Sequence, residues 1–252
     1  MVYSQETEEP STEKDDLASK IQNPIASLIS VPFQNNADFN IGPYDRTRNT
    51  LNIQPVVPFS LTENLNLISR TIIPIITQPV GENDSETGLG DVNLSLFLTP
   101  AKPSKIIYGY GLALGLPTAT ESFLGTEKWT AGPSFVILVQ PEGWTVGGLL
   151  QNTWSYAGKE DRAEVNFFYS QVFVTKNLPK GWYVNTAPII TANWESDSGN
   201  QWTVPLGAGF GKLFRLGKLP INAQTGYYFN VVHPDGGPES QFRFQIVLLF
   251  PK

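Results

Sequence analysis

The chain has 252 residues, no cysteine and a single histidine, His233. This excludes a disulfide framework, a Cys-ligated metal, a thiol nucleophile and any multi-His centre. Only 16% of residues are charged, and most of the net charge of −6 falls on residues 1–16. The rest is nearly neutral and offers no basic patch to a phosphate backbone, so no nucleic-acid partner is expected.

No run of about 20 apolar residues could form a transmembrane helix. The start, MVYSQETEEP, has neither a basic n-region nor an apolar h-region, which fits a cytosolic protein or a mature form whose signal peptide is gone. Residues 1–16 read as a solvated acidic tail. Leu17 and Ile21 can share a helical face, and Asn23-Pro24 suits the start of a short helix to about Ser30. Residues 1–27 are therefore set apart from a β domain over 28–252.

From there the chain is a train of segments rich in Val, Ile, Phe, Tyr, Trp and Thr, separated by turn residues. Strands are expected near 29–37, 49–60, 64–76, 88–99, 105–117, 128–140, 143–156, 165–177, 181–194, 201–213, 220–231 and 240–250, twelve in all. Short turns such as Pro141-Glu-Gly143 alternate with longer, more polar loops. Short turns at one end and long loops at the other describe an antiparallel up-and-down barrel with both termini at the short-turn end.

Alternation then separates the two faces. In the last strand Phe242, Phe244, Ile246, Leu248 and Phe250 oppose Gln241, Arg243 and Gln245; an earlier strand sets Val92, Leu94, Leu96 and Leu98 against Asn93 and Ser95. The polar face carries Gln, Asn, Ser and Gly rather than Lys and Glu, which suits a lumen better than a soluble exterior. All six tryptophans, Trp129, Trp144, Trp154, Trp182, Trp194 and Trp202, fall near expected strand ends, as an interfacial girdle requires. The expected fold is thus all-β, a transmembrane barrel of about twelve strands.

Several groups have the residue types that chemistry needs. Gly207-Ala-Gly209-Phe-Gly211-Lys212 imitates a phosphate loop but opens no helix, and reads as a thin lumen wall. Gly109, Gly111 and Gly115 are placed on the lipid-side parity or at a kink. His233 precedes Pro234 in a loop, and pairing it with Ser240 for hydrolysis would need an orienting acid. The acidic loop Glu82–Glu86 lacks a calcium-loop spacing, so no metal, cofactor or catalytic residue is assigned. The expected pore lining is Gln54, Arg70, Asp91, Asn93, Gln224, Tyr228, Arg243 and Gln245. Within it Gln54 is placed across from Arg70, Asp91 on the next strand, and Arg243 opposite Tyr228.

The runs NPIASLISVPFQNN (23–36), GPYDRTRNTLNIQPVVPFSL (42–61), RTIIPIITQP (70–79), GLGDVN (88–93), PIITANWE (188–195), WTVPLGAGFGK (202–212) and the terminal LLFPK resemble a family of bacterial outer-membrane β-barrels linked with transport and with the MetA pathway of phenol degradation. The resemblance covers nearly everything after Leu17. It implies an outer-membrane channel of Gram-negative-type bacteria for small, apolar or aromatic solutes, and it transfers no catalytic or binding residues. The implied partners are outer-membrane lipids and lipopolysaccharide, the barrel assembly machinery and a small solute. One departure is the end at Lys252, where assembly signals usually finish on an aromatic residue. The alternatives are an outer-membrane lipid-modifying enzyme on the same fold, or a soluble barrel holding an apolar ligand.

Overall fold

A computed structural model describes residues 17, 20–102, 104–217 and 219–250. The acidic tail over 1–16 and the terminal Lys252 lie outside the described residues. The strands are β1 (Ile29–Ile41), β2 (Arg46–Ile53), β3 (Val56–Thr62), β4 (Leu65–Val80), β5 (Asp84–Leu89), β6 (Val92–Pro100), β7 (Ile106–Leu116), β8 (Lys128–Val139), β9 (Trp144–Gly158), β10 (Asn166–Asn177), β11 (Trp182–Thr186), β12 (Ile189–Asn193), β13 (Trp202–Leu216), β14 (Leu219–Val232) and β15 (Ser240–Phe250).

Three pairs, β2/β3, β5/β6 and β11/β12, are single staves interrupted at Gln54-Pro55, Gly90-Asp91 and Ala187-Pro188. Proline lacks the N–H that a central strand must donate, so two of the interruptions sit where the ladder would otherwise lose a bond. Counted as staves, the pieces form a closed twelve-stranded antiparallel barrel. Neighbours follow chain order, and the ring closes where β15 pairs β1, from Phe250 opposite Ile29 to Ser240 opposite Phe39.

Alternation along each stave produces two chemically different surfaces. Phe242, Phe244 and Phe250 on β15, Leu206 and Phe210 on β13, and Tyr108, Tyr110 and Leu112 on β7 project outward and are exposed. Their inward neighbours are buried: Arg243, Val247 and Leu249 on β15, Tyr228 on β14, and Ala113 on β7. An outer face this apolar costs free energy in water and gains it in hydrocarbon, so the solvent outside the staves is lipid-like. Trp129, Trp144, Trp154, Trp182 and Trp194 are all exposed. Trp144 and Trp182 lie at the short-turn end, where Lys176 and Lys212 place ammonium groups 4.7 and 5.0 Å from their ring centroids. Trp194 and Trp202 pack edge to face at 5.2 Å at the long-loop end.

Two expectations are corrected. The helix from Asn23 to about Ser30 does not form. Residues 24–28 are turns and bends, Asn23 Oδ1 accepts the Ile25 N–H at 3.0 Å, and Ile29 and Ser30 already pair with β15. Sheet pairing across the seam outweighs the local helix signal. Gly109, Gly111 and Gly115 lie on the inward parity of β7, with Ala113, opposite Val136, Ser134 and Thr130. Read from Leu112 and Leu114 outward, the same alternation gives this placement.

The faces yield a test. Phe244 projects outward and Gln245 inward, so Phe244→Arg is expected to cost about 2–4 kcal/mol of unfolding free energy in lipid vesicles, and Gln245→Arg much less. Equal penalties would mean that the outward face is not in hydrocarbon.

Candidate functional site

The chain closes one end of its own barrel. Leading into β1, residues 20–28 turn inside the short-turn end, where Ile25 is 2% exposed and packs with Ile68, Phe97, Val136 and Leu138. Gln22 donates to Asn177 Oδ1 at 2.6 Å and accepts from Thr145 at 2.7 Å, and Asn66 donates to Ser27 Oγ at 3.1 Å. This floor is therefore tied by side chains to β4, β9 and β10.

Above the floor is a cavity of about 180 Å³ lined by both polar and apolar groups. On one wall, Gln224, Gln245 and Gln34 stand in register across β14, β15 and β1. Further round, Arg70 Nη2 donates to Gln54 Oε1 at 2.9 Å. Val56 is the residue opposite Arg70, with Gln54 diagonal to it. The register is the same on both sides of the Gln54-Pro55 break, and the offset from the one expected comes from the irregularity between Ser60 and Thr62 at the Leu61–Glu63 turn. Arg243 lies opposite Gly226 rather than Tyr228, and reaches diagonally to place its guanidinium 4.6 Å from the Tyr228 ring centroid. It donates to Ala187 O at 2.9 Å and through two nitrogens to Gln241 Oε1.

Five of the eight expected lumen residues, Gln54, Arg70, Gln224, Arg243 and Gln245, thus surround one cavity. The other three do not. Tyr228 is buried beneath Arg243, and Asn93 is inward on β6, paired with Gly115. Asp91 sits in the break between β5 and β6. Its carboxylate accepts from the Thr126 N–H at 2.6 Å, Thr126 Oγ1 at 2.8 Å and the Ala119 N–H at 3.2 Å. It anchors the loop 117–127 instead of pairing with Arg70.

That loop occupies the inner side of the wall at the long-loop end. Gly88 is opposite the inward Ile76, and a Cβ added there would meet Thr120 Oγ1 at 2.2 Å and Leu124 Cδ1 at 2.7 Å. Glycine is required because the loop rests directly on the wall. Arg162 holds the same loop from the other side, donating to Ser122 O and Gly125 O, each at 2.7 Å.

The wall opposite the glutamines is apolar: Phe97, Val136, Leu138, Leu149 and Phe173 are all buried together. Three polar groups were missed by sequence reasoning. Tyr183 donates to Asn222 Oδ1 at 2.9 Å and lies where a Cβ on Gly211 would come within 2.3 Å of its ring. Asn185 faces the cavity with an Oδ1 that has no hydrogen-bond partner among the described residues. Asp38 is inward on β1, where it pairs with Arg48 at 3.0 Å and accepts from Gln241 at 2.7 Å. The alternation of Gln34, Asn36 and Asp38 carries that last signal, beyond the expected strand end at 37.

The remaining candidates have ordinary partners. His233 Nδ1 lies 3.0 Å from Pro234 O, while Ser240 Oγ is 2.9 Å from the Tyr227 hydroxyl. Arg46 fills the acidic loop, donating to Asp84 O at 3.1 Å and Ser85 Oγ at 3.0 Å.

No family model and no curated protein matches this sequence. The fold is similar to that of the COG4313 outer membrane channel from Pseudomonas putida F1, at 17% identity and a TM-score of 0.67 over 90% of this chain and 97% of that one. It is also similar to the NanC porin, at 9% identity and a TM-score of 0.56 over 89% of this chain and 100% of that one. Outer membrane phospholipase A from Escherichia coli is more distant, with 13% identity and a TM-score of 0.43 over 94% and 98% of the two chains. The first two likenesses show the class of fold, a closed antiparallel β-barrel.

A pH effect follows at the long-loop end. Glu164 accepts from Lys128 at 2.8 Å and also from Ser155, and these bonds hold its carboxyl below the ordinary carboxylate value. A depressed value contributes stability above the unfolded-state pKa, which is lost as pH falls through the folded one. Amide exchange over 159–165, measured relative to the intrinsic rate at each pH, should therefore quicken on acidification in the wild type. In Glu164→Gln it should be faster at neutral pH and lack this step.

Proposed function

We propose that the chain is an outer-membrane channel for passive passage of small solutes, apolar and aromatic compounds among them, with no chemistry of its own. The observation that carries this reading is a polar, arginine-bearing cavity inside a barrel whose outer face is apolar. Eight staves leave room only for side chains, and twelve leave more. Here the interior surplus is taken up by the floor, the inward loop and the cavity between them.

The resemblance of the long sequence runs to the outer-membrane transport family supports the same reading. So does the shared fold of the COG4313 outer membrane channel and the NanC porin. The apolar band would contact outer-membrane lipids and lipopolysaccharide, and insertion would use the barrel assembly machinery. In that membrane the short-turn end, with its floor, faces the periplasm.

Reconstitution into planar bilayers tests the reading directly. The full chain should give unitary current steps, and liposomes containing it should swell in small neutral solutes. Stable insertion with neither result would remove the channel function. Arg70→Ala deletes a fixed positive charge from the cavity and should raise conductance and move the reversal potential in a salt gradient toward cations. An unshifted potential in a barrel that still migrates heat-modifiably would remove Arg70 from the conduction path. His233→Ala should leave solute flux unchanged. Hydrolysis of phospholipid or lipid A ester by the wild type, lost in that variant, would instead make the protein an enzyme.

A further inference from the structure

Among the described residues, the cavity is lined by basic side chains and by no carboxylate. Arg70 and Arg243 are the guanidinium groups on that lining. The nearby Asp38 carboxylate is already committed to Arg48 and Gln241. Arg243 is only 3% exposed, and every acceptor it meets, Ala187 O and Gln241 Oε1, is neutral. A buried charge is costly unless a counter-charge or strong hydrogen bonds compensate it. The Tyr228 face offsets part of that cost. A guanidinium has five N–H donors; three of the bonds Arg243 can make go to Ala187 O and Gln241 Oε1, and the side chain also lines the cavity.

Two other features constrain what could enter. Asn185 Oδ1 is an unused acceptor on a side chain 9% exposed, so the site also accommodates a donor. Across from the arginines, Leu149 and Phe173 line the cavity, and Val56 beside Arg70 adds apolar surface; none of them offers anything to a hydrated inorganic ion. The volume, about 180 Å³, suits one ring, since an apolar cavity of about 150 Å³ takes up benzene.

We infer that the cavity is a binding site for a small organic anion with an apolar body, a one-ring carboxylate. Its carboxylate lies toward Arg70 and Arg243, and its ring lies against Leu149 and Phe173. Guanidinium forks match carboxylate geometry and bind it more strongly than neutral acceptors. The apolar wall stabilises the part of the solute that an ordinary anion lacks. The assignment deepens the channel reading and rests on it for its role in passage, but the binding chemistry can be measured separately.

Two measurements on the intact protein decide it: block of chloride current in planar bilayers, and benzoate titration by calorimetry in detergent. Benzoate should block wild-type current at a concentration at least about tenfold below that needed with acetate or benzyl alcohol, each of which keeps only half of the recognised chemistry. Arg243→Gln and Arg70→Gln should each raise the half-blocking benzoate concentration by roughly tenfold, the scale of one lost charge-assisted contact. Because Arg243 is buried and its variant could misfold, Arg70→Gln carries the test alone if Arg243→Gln gives no heat-modifiable barrel. Equal block by benzoate and acetate would overturn the apolar half of the site, and equal block by benzoate and benzyl alcohol the anionic half. Unchanged benzoate block in a folded Arg70→Gln would overturn the assignment itself. Saturable benzoate heat without conductance in any preparation would uphold the site and remove the channel. Conductance with neither block nor heat would do the reverse.

Discussion

The whole arrangement depends on the seam between β1 and β15. In hydrocarbon, an unpaired backbone N–H or C=O has no water to turn to, and each one costs several kcal/mol. A sheet there can have no edges. The pairing of Ile29 through Phe39 with Phe250 through Ser240 removes the last two. Once the ring is closed, strand alternation can only sort side chains into two environments, lipid outside and lumen inside. Every later feature, from the tryptophans at both rims to the arginines within, is a consequence of that sorting.

Inside, a second division runs around the circumference. The glutamines of β1, β14 and β15, with Gln54 and Arg70 beyond them, make one half of the wall polar, whereas β6 and β8 to β10 present Phe97, Val136, Leu138, Leu149 and Phe173. A lumen polar all round would conduct by water alone, and one apolar all round would dewet. In a conducting barrel, the divided wall would keep water along one side while offering dispersion contacts on the other. The inward loop held by Asp91 and Arg162 and the N-terminal floor confine this mixed surface to the middle of the barrel.

Much of this was legible in the sequence, for identifiable reasons. Strand number, faces and the short-turn and long-loop ends came from a period-two pattern, which survives because the barrel has two distinct solvents. Stave interruptions also left their mark, as Pro55 and Pro188. What stayed hidden was three-dimensional. Only the folded structure shows that Gly88 is bare because Leu124 rests on it, that Asp91 serves a loop some thirty residues away, or that Arg243 reaches diagonally to Tyr228. The helix expected after Asn23 failed because a local cap signal competes poorly with a ladder that closes the ring. The inward glycines of β7 were misplaced because their side chains are missing: without Cβ atoms they carry no hydropathy of their own, and only Leu112, Ala113 and Leu114 report the phase.

The floor has one property that the staves lack. Among the described residues its backbone hydrogen bonds are internal, Asn23 to Lys20 and Ala26 to Asn23, and everything joining it to the wall is a side chain. It is tethered to the first paired residue, Ile29, by only the few residues that follow Ile25, a reach of about 14 Å at full extension. A segment so held can leave its seat without breaking one rung of the ladder, yet it can never diffuse away. Its local concentration at the mouth stays in the range set by a very short linker, so reseating is fast and independent of protein concentration. The barrel therefore carries its own stopper on a leash, and the stability of that stopper is separable from the stability of the barrel.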